Sequence, residues 1–310
     1  MQKYFYFVLK GLGMGAANVI PGVSGGTIAL ITGIFERLIN AIKSFDITAL
    51  KLFFTGRFKD FARHVDLAFL VAVFFGVVLA IISVARLFEY LFANYPIYIW
   101  SFFFGLIVAS VYFVGRTISK WSLTVIIVFV AGTSLAVLLT FLKPAAENDN
   151  LLYLFICGIV GACSMILPGI SGSFVLILMG NYQLVMINAV NQMNVSILAP
   201  VVLGAIFGLI AFANFLSWVF KKFPDYTIAS LTGFILGSLG IIWPWKNNVY
   251  QIDVNGAFAL NRKGEKIVTG YEWFLPDSFT TEVVIALGFI VLGFLTIWII
   301  EYLAGKRVNK

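Results

Sequence analysis

Charge is what this 310-residue chain has least of. Asp, Glu, Lys and Arg together make up 11% of it, against about 25% in soluble domains. With 61% hydrophobic residues and 16% aromatics, that scarcity excludes an ordinary soluble domain. A single histidine, His64, gives a histidine-based metal centre no ligand set. Neither a Gly-rich nucleotide loop with its lysine nor an HExxH stretch occurs, so no cofactor is implied. Cys157 and Cys163, in apolar sequence, read as small buried thiols. The basic excess, 21 Lys and Arg against 14 Asp and Glu, would suggest nucleic acid in a soluble protein. Here it marks the inner face of a membrane, and no nucleic-acid partner is expected. No small-residue cleavage site follows the apolar start, which is therefore read as structural rather than as a signal peptide.

What the chain has instead is long apolar runs, at 67–85, 97–114, 123–142, 197–220, 228–243 and 283–300. Runs of about 20 apolar residues with few charges span membranes. The expected fold class is thus an all-α polytopic membrane protein. The chain also repeats itself. "VIPGVSGGTIALITGIFERL" (19–38) lies over "ILPGISGSFVLILMGNYQLV" (166–185), with Pro21/Pro168, Gly22/Gly169, Ser24/Ser171, Gly25/Gly172 and Gly33/Gly180 identical. Downstream, "YPIYIWSFFFGLIVAS" (95–110) lies over "FPDYTIASLTGFILGS" (223–238), pairing Pro96/Pro224, Tyr98/Tyr226, Gly105/Gly233 and Ser110/Ser238. Two matches in the same order indicate an internal duplication, with a first repeat over 1–142 and a second over 143–310.

The Pro-Gly-x-Ser-Gly runs have a physical reading. Irregular backbone survives in hydrocarbon only where protein or a wet cavity surrounds it. Pro21 and Pro168 break a continuing helix, and Gly22, Gly25 and Gly26 permit close approach. Ser24 is a suitable N-cap. Each motif is therefore expected at the tip of a re-entrant helical hairpin, 5–35 and 151–187. The returning leg, 25–35, would reach about half of a ~30 Å hydrocarbon core and leave Glu36 and Arg37 at the interface. In the second copy Gln183 takes the place of Glu36. One hairpin and three crossings per repeat place the halves in inverted topology. Fifteen of the 21 Lys and Arg then fall on one side, which the positive-inside rule makes cytoplasmic together with both termini. Inverted repeats with broken helices at midplane characterise secondary transporters.

Two helix starts at midplane, Ser24–Thr27 and Ser171–Phe174, would present free amides. Hydroxyls of Ser24, Thr27, Ser171 and Ser173 add donors, so the pair suits phosphate or carboxylate. A packing role for the glycines is the competing reading, and Gly11/Gly15, Gly204/Gly208 and Gly233/Gly237 are assigned only that. Charges beside apolar runs are the next candidates. Arg86 and Glu89 follow the 67–85 run at its outer end, as a capture site for a lipid phosphate or as a surface ion pair. Glu36 and Arg37 gate or release the anion on the cytoplasmic side, or only snorkel. Asn214, within the 197–220 run, needs a polar partner. The connector 40–66, "LKLFFTGRFKDFARH" at its centre, reads as a cytoplasmic interfacial segment on anionic lipid. The outer loop 246–282 carries turn signals between β-prone runs and reads as a small hairpin or meander.

With both PG-x-SG motifs and "GIFERL" in view, the chain resembles the bacterial polyprenyl-phosphate transporter family, PopT type. The resemblance covers residues 10–242 and the last helix. It implies a flippase that returns undecaprenyl phosphate from the outer to the inner leaflet of the cytoplasmic membrane, for reuse in building peptidoglycan and other envelope precursors. On this resemblance the phosphate-binding residues are Pro21, Gly22, Ser24, Gly25, Gly26, Thr27, Pro168, Gly169, Ser171, Gly172 and Ser173. The partners are the lipid substrate and the bilayer, and the protein is not an enzyme. Two alternatives remain open. Undecaprenyl-diphosphate phosphatases share a PG-x-S motif, but theirs continues Arg-Ser-Gly and works with a glutamate-rich helix, both absent here. An ion-coupled carrier of a small anion is the other. Coupling ion, chain-length preference and oligomeric state leave no mark in the sequence.

Overall fold

The computed structural model describes residues 2–19, 25–142, 144–190, 192–252, 256–260, 264 and 266–308. Pro21, Gly22 and Ser24 of the first motif lie outside them. Among the described residues the chain is mostly helical. It opens with α1 (Gln2–Val19), α2 (Gly25–Ile31) and α3 (Phe35–Lys43), followed by the short α4 (Ile47–Phe54) and α5 (Phe58–His64). Three long helices follow, α6 (Leu67–Asn94), α7 (Pro96–Gly115) and α8 (Leu123–Phe141). Then come α9 (Leu151–Ile166), α10 (Gly172–Leu178), a π-helical turn Gln183–Ala189, α11 (Val195–Lys222) and α12 (Pro224–Gly237). The strands β1 (Lys246–Tyr250) and β2 (Val268–Trp273) precede the last helix, α13 (Thr281–Val308). Among the described residues, α7, α8, α11 and α13 are each long and apolar enough to cross a membrane, and the bent pairs α2–α3 and α5–α6 bring the number to as many as six if each pair is one broken span rather than a re-entrant loop. This is a multi-pass helical membrane protein.

Local chemistry sets the helix starts. Asn150 opens α9 with its Oδ1 accepting from the Leu152 and Tyr153 amides, and Asp46 opens α4 by accepting from Ala49. Such caps satisfy amides that have no intrahelical partner. Pro96 and Pro224 begin α7 and α12, where a missing amide hydrogen costs nothing.

The two short helices end alike. Gly33 (φ +68°) and Gly180 (φ +74°) adopt left-handed backbone one residue past the helix. Ile34 then donates to the Ala29 carbonyl and Gly33 to Leu30, while Asn181 donates to Leu176 and Gly180 to Ile177. Both are Schellman terminations, which need a residue without a side chain. They correct the expected continuous leg over 25–35. α2 stops at Ile31 after seven residues, and the chain resumes as α3 at 117° to it, so Glu36 and Arg37 stand on a separate element. The run at 67–85 is also longer than its apolar stretch suggests, since α6 continues to Asn94 with Arg86 inside it. Residues 246–273 add strands to a fold otherwise helical.

Helices pair through glycine. α1 packs on α6, α9 on α11, α7 on α13 and α8 on α12. A Cβ on Gly11 would strike the Val73 carbonyl and one on Gly76 the Val8 carbonyl; at Gly158 and Gly204 the obstacles are the carbonyls of Val201 and Phe155. Likewise Gly105 lies on Ile290 and Gly293 on Phe102, while Gly233 lies on Phe129 and Gly132 on Ser230. Backbones touch in every case, as small residues allow when apolar lipid offers no other driving force.

β1 and β2 form an antiparallel hairpin pinned to the end of α12. Trp273 Nε1 donates to the Gly240 carbonyl at 2.6 Å, Trp243 Nε1 to Phe274 at 3.1 Å, and Lys246 Nζ to Ile241. The Lys246 ammonium also lies 3.7 Å from the Trp100 ring centroid and 4.4 Å from that of Tyr271, and burial pulls its pKa down to about 7.

Candidate functional site

The described parts of the two motifs meet. Gly169 (φ +86°) points its amide at the Thr27 hydroxyl, 3.1 Å away and buried, so the second motif loop touches the first turn of α2. Pro168, Gly169, Gly25, Gly26 and Thr27 are all buried there. The Thr27 oxygen accepts from Gly169, so among the described residues its own O–H remains to be donated. Space is tight around Gly169, where a Cβ would meet the Phe234 carbonyl of α12 and Ser238 just past its end.

The second tip is more open. Ser171 and Ser173 share a hydrogen bond at 2.7 Å, Ser173 is exposed and Gly172 is buried behind it. Ser171 stands at the N-cap position of α10 without a capping bond from its side chain. One hydroxyl proton of the pair serves the mutual bond and the other is available to an acceptor. The tips therefore present donors: Thr27 on a closed side, Ser171 and Ser173 on an open one.

The charged candidates separate. Glu36 is exposed. Arg37 donates through Nε to Asp66 Oδ2 at 2.7 Å, with its guanidinium carbon 4.7 Å from the Phe7 ring centroid and 4.4 Å from that of Phe69. Glu36, Arg37 and Asp66 border a cavity of about 380 Å³ that also takes in Gly33, Asn40 and Ser44. Asn40 is held from the far side by the Ser217 hydroxyl of α11, which donates to its Oδ1 at 2.8 Å. Arg86 and Glu89 stand three residues apart on α6, about 28 Å and about 33 Å along the helix axis from Leu67 at 1.5 Å per residue; their side chains lie outside the description. Asn214 finds its partner on its own helix, donating to the Ile210 carbonyl at 2.9 Å, and among the described residues no hydrogen bond ties it to the tips.

Two residues near the site escaped the sequence reading. Lys10 Nζ donates to the Thr32 carbonyl at 2.6 Å, at the end of α2. Its signal was available, because Lys10 is the one charge between Lys3 and Glu36. Asp66 precedes α6 in left-handed backbone (φ +49°). It gave no signal, since its partner lies 29 residues away.

A second cavity, about 730 Å³, lies beside the β-hairpin and is lined mainly by Phe104, Phe141, Trp243, Trp273, Phe274 and Leu275.

Comparison with known proteins gives a consistent picture. The sequence profile of the VCA0040-like family, described as undecaprenyl phosphate translocase-like, matches residues 14–258. A protein of Vibrio cholerae serotype O1 (strain ATCC 39315 / El Tor Inaba N16961), named polyprenyl-phosphate transporter, is 40% identical over 280 residues, covering 90% of this chain and 88% of its own. A protein of Staphylococcus aureus (strain NCTC 8325 / PS 47) with the same name is 33% identical over 262 residues, 79% of this chain and 88% of its own. No solved structure matches.

Proposed function

Because the chain belongs to the VCA0040-like family of undecaprenyl phosphate translocase-like proteins, we propose that it is a transporter of polyprenyl phosphate lipid. In this reading it moves undecaprenyl phosphate from the outer to the inner leaflet of the bacterial cytoplasmic membrane, where the carrier is loaded again with envelope precursors. The observation that carries the reading is the hydrogen bond from the Gly169 amide to Thr27, which brings the second motif against the first turn of α2, directly after the first motif.

The headgroup would pass between these loops, meeting hydroxyls of Ser24, Thr27, Ser171 and Ser173 and the amides around Gly25, Gly26 and Gly172. Pro21, Gly22, Pro168 and Gly169 would shape the passage, while the isoprenoid chain stays in lipid. Charge-assisted hydrogen bonds are strong where water is scarce, so such a site can replace part of a phosphate's hydration. Arg86 would receive the headgroup at the outer end of α6, with Glu89 as its neighbour, and Glu36 would repel it outward on the cytoplasmic side. Inverted repeats with both termini cytoplasmic account for the charge distribution. The matched glycine contacts of α1–α6 with α9–α11, and of α7–α13 with α12–α8, support a duplicated architecture.

Purified protein in liposomes tests the reading with a leaflet-resolved assay of undecaprenyl phosphate. Wild-type protein should translocate the lipid. Gly25→Val should abolish translocation and Ser24→Ala should slow it at least tenfold, given about 1.5–3 kcal/mol for a hydrogen bond to a charged group. Release of inorganic phosphate from the diphosphate lipid would mark a phosphatase instead, and uptake of aqueous phosphate a small-anion carrier.

A further inference from the structure

The cavity at the start of α3 holds a guanidinium with four of its five N–H donors unused among the described residues. Arg37 is fixed on three sides: Nε on Asp66 and the flat face over both Phe7 and Phe69. Its terminal Nη1–Nη2 edge carries no hydrogen bond among the described residues. That edge is the one whose paired donors match two oxygens of a phosphate. Asn40 lines the same cavity, and because its Oδ1 accepts from Ser217, its amide N–H groups are donors without a partner among the described residues. About a third of the Arg37 and Asp66 side chains is exposed, so the cavity is open to water.

We propose that this cavity is a transient docking site for a phosphate monoester, and that Asp66 is the residue that positions Arg37 for it. The proposal rests on the transport reading and names the last protein contact of the headgroup before it leaves. Three oxygens of the phosphate would be met by the Nη1–Nη2 pair and the Asn40 amide. Asp66 acts in two ways. It holds Nε so that the free edge faces the cavity, and it neutralises the guanidinium. With Glu36 on the same wall, the cavity carries one more negative group than positive ones. A phosphate is thus recognised by shape but not held by net charge, which suits departure rather than storage.

The sign of one substitution decides the matter. Asp66→Asn keeps an oxygen to accept from Nε and removes the charge. It should tighten phosphate binding roughly tenfold, as expected for deleting a like charge a few ångström away in a partly wet site, while turnover in the liposome assay falls. Arg37→Gln should weaken binding about tenfold or more, with Arg37→Lys recovering only part. In the Arg37→Gln background, Asp66→Asn should no longer tighten anything. The probes are inorganic phosphate and geranyl phosphate, titrated calorimetrically against the purified full-length protein, with thermal unfolding run alongside. Binding of both, each lost with Arg37, assigns the cavity to a lipid headgroup, and binding of inorganic phosphate alone assigns it to the free ion. Weaker or unchanged binding in Asp66→Asn overturns the proposal, as does tightening that persists without Arg37. If wild-type protein moves no lipid yet binds phosphate through Arg37, the docking site stands and the transport reading falls.

Discussion

The two short helices α2 and α10 end by the same backbone geometry, yet the chain that leaves them is built from different chemistry. After α2 the exit is charged and open: Lys10 caps the Thr32 carbonyl, Arg37 meets Asp66, and a 380 Å³ cavity lies beside them. After α10 the exit is neutral and filled. The Tyr153 hydroxyl caps the Met179 carbonyl at 2.8 Å, at the position that aligns with Thr32. Asn181, fully buried, donates to the Asn148 carbonyl at 2.7 Å and accepts from its amide at 2.9 Å. The segment before α9 is thereby laid across the exit, with Ala145 donating to Leu178. The same helix termination thus accommodates a charged, open exit in one place and a neutral, filled one in the other.

Substitutions at matched positions test how deep the difference runs. The largest effect is expected at the glycines. Alanine at Gly180 combines left-handed strain of about 1–2 kcal/mol with a clash against the Ala145 carbonyl, for a loss of roughly 3 kcal/mol or more once overpacking is included. Alanine at Gly33 meets nothing within 4 Å and should lose only the strain. Thermal unfolding in detergent should show the first variant markedly less stable than the second, and equal losses would mean the exits are packed alike.

Asn181→Ile comes next, because it copies the residue at the aligned position, Ile34. It leaves the Asn148 backbone without its partners, at about 2 kcal/mol, and should raise hydrogen exchange across 145–149 while leaving 32–37 unchanged. Protection that persists at 145–149 would show that Asn181 does not hold the closure. The smallest contrast lies between the caps. Lys10→Met removes a charged donor and should cost about 1.5–3 kcal/mol, whereas Tyr153→Phe removes a neutral one and should cost about 1. A reversed order in unfolding measurements would make the charged cap incidental.

Much of this was readable from residue types. Apolar runs announced the long helices, and proline and glycine the breaks, whereas the identity of Gly33 with Gly180 was visible but the helix end it marks was not, since the leg was expected to run on through 25–35. The direction taken after the break was not readable. A left-handed glycine permits a turn, but whether α3 continues α2 or lies at 117° to it depends on α11, which receives Asn40 at Ser217 and Phe35 at Phe220. The candidate site divides the same way. Thr27 and Gly169 were visible as motif members, whereas their contact joins residues 142 apart in the chain. Asp66 gave no signal, because an ion pair between residues 29 apart has no periodicity to betray it. Asn214, a polar residue in an apolar run that needed a partner, finds an acceptor for its amide on its own helix.

The glycine contacts between helices bear on motion. Where backbone lies against backbone there is no layer of side chains to compress or re-pack, so the spacing of such a pair cannot change without breaking it. α1 with α6, α9 with α11, α7 with α13 and α8 with α12 are in this sense four stiff planks. Two of them join helices from the same half of the chain, and the other two take one helix from each half. The halves therefore cannot swing apart like the leaves of a book. A rearrangement that keeps all four pairs intact leaves α7–α13 and α8–α12 joining the halves and moves α1–α6 or α9–α11 only as whole units.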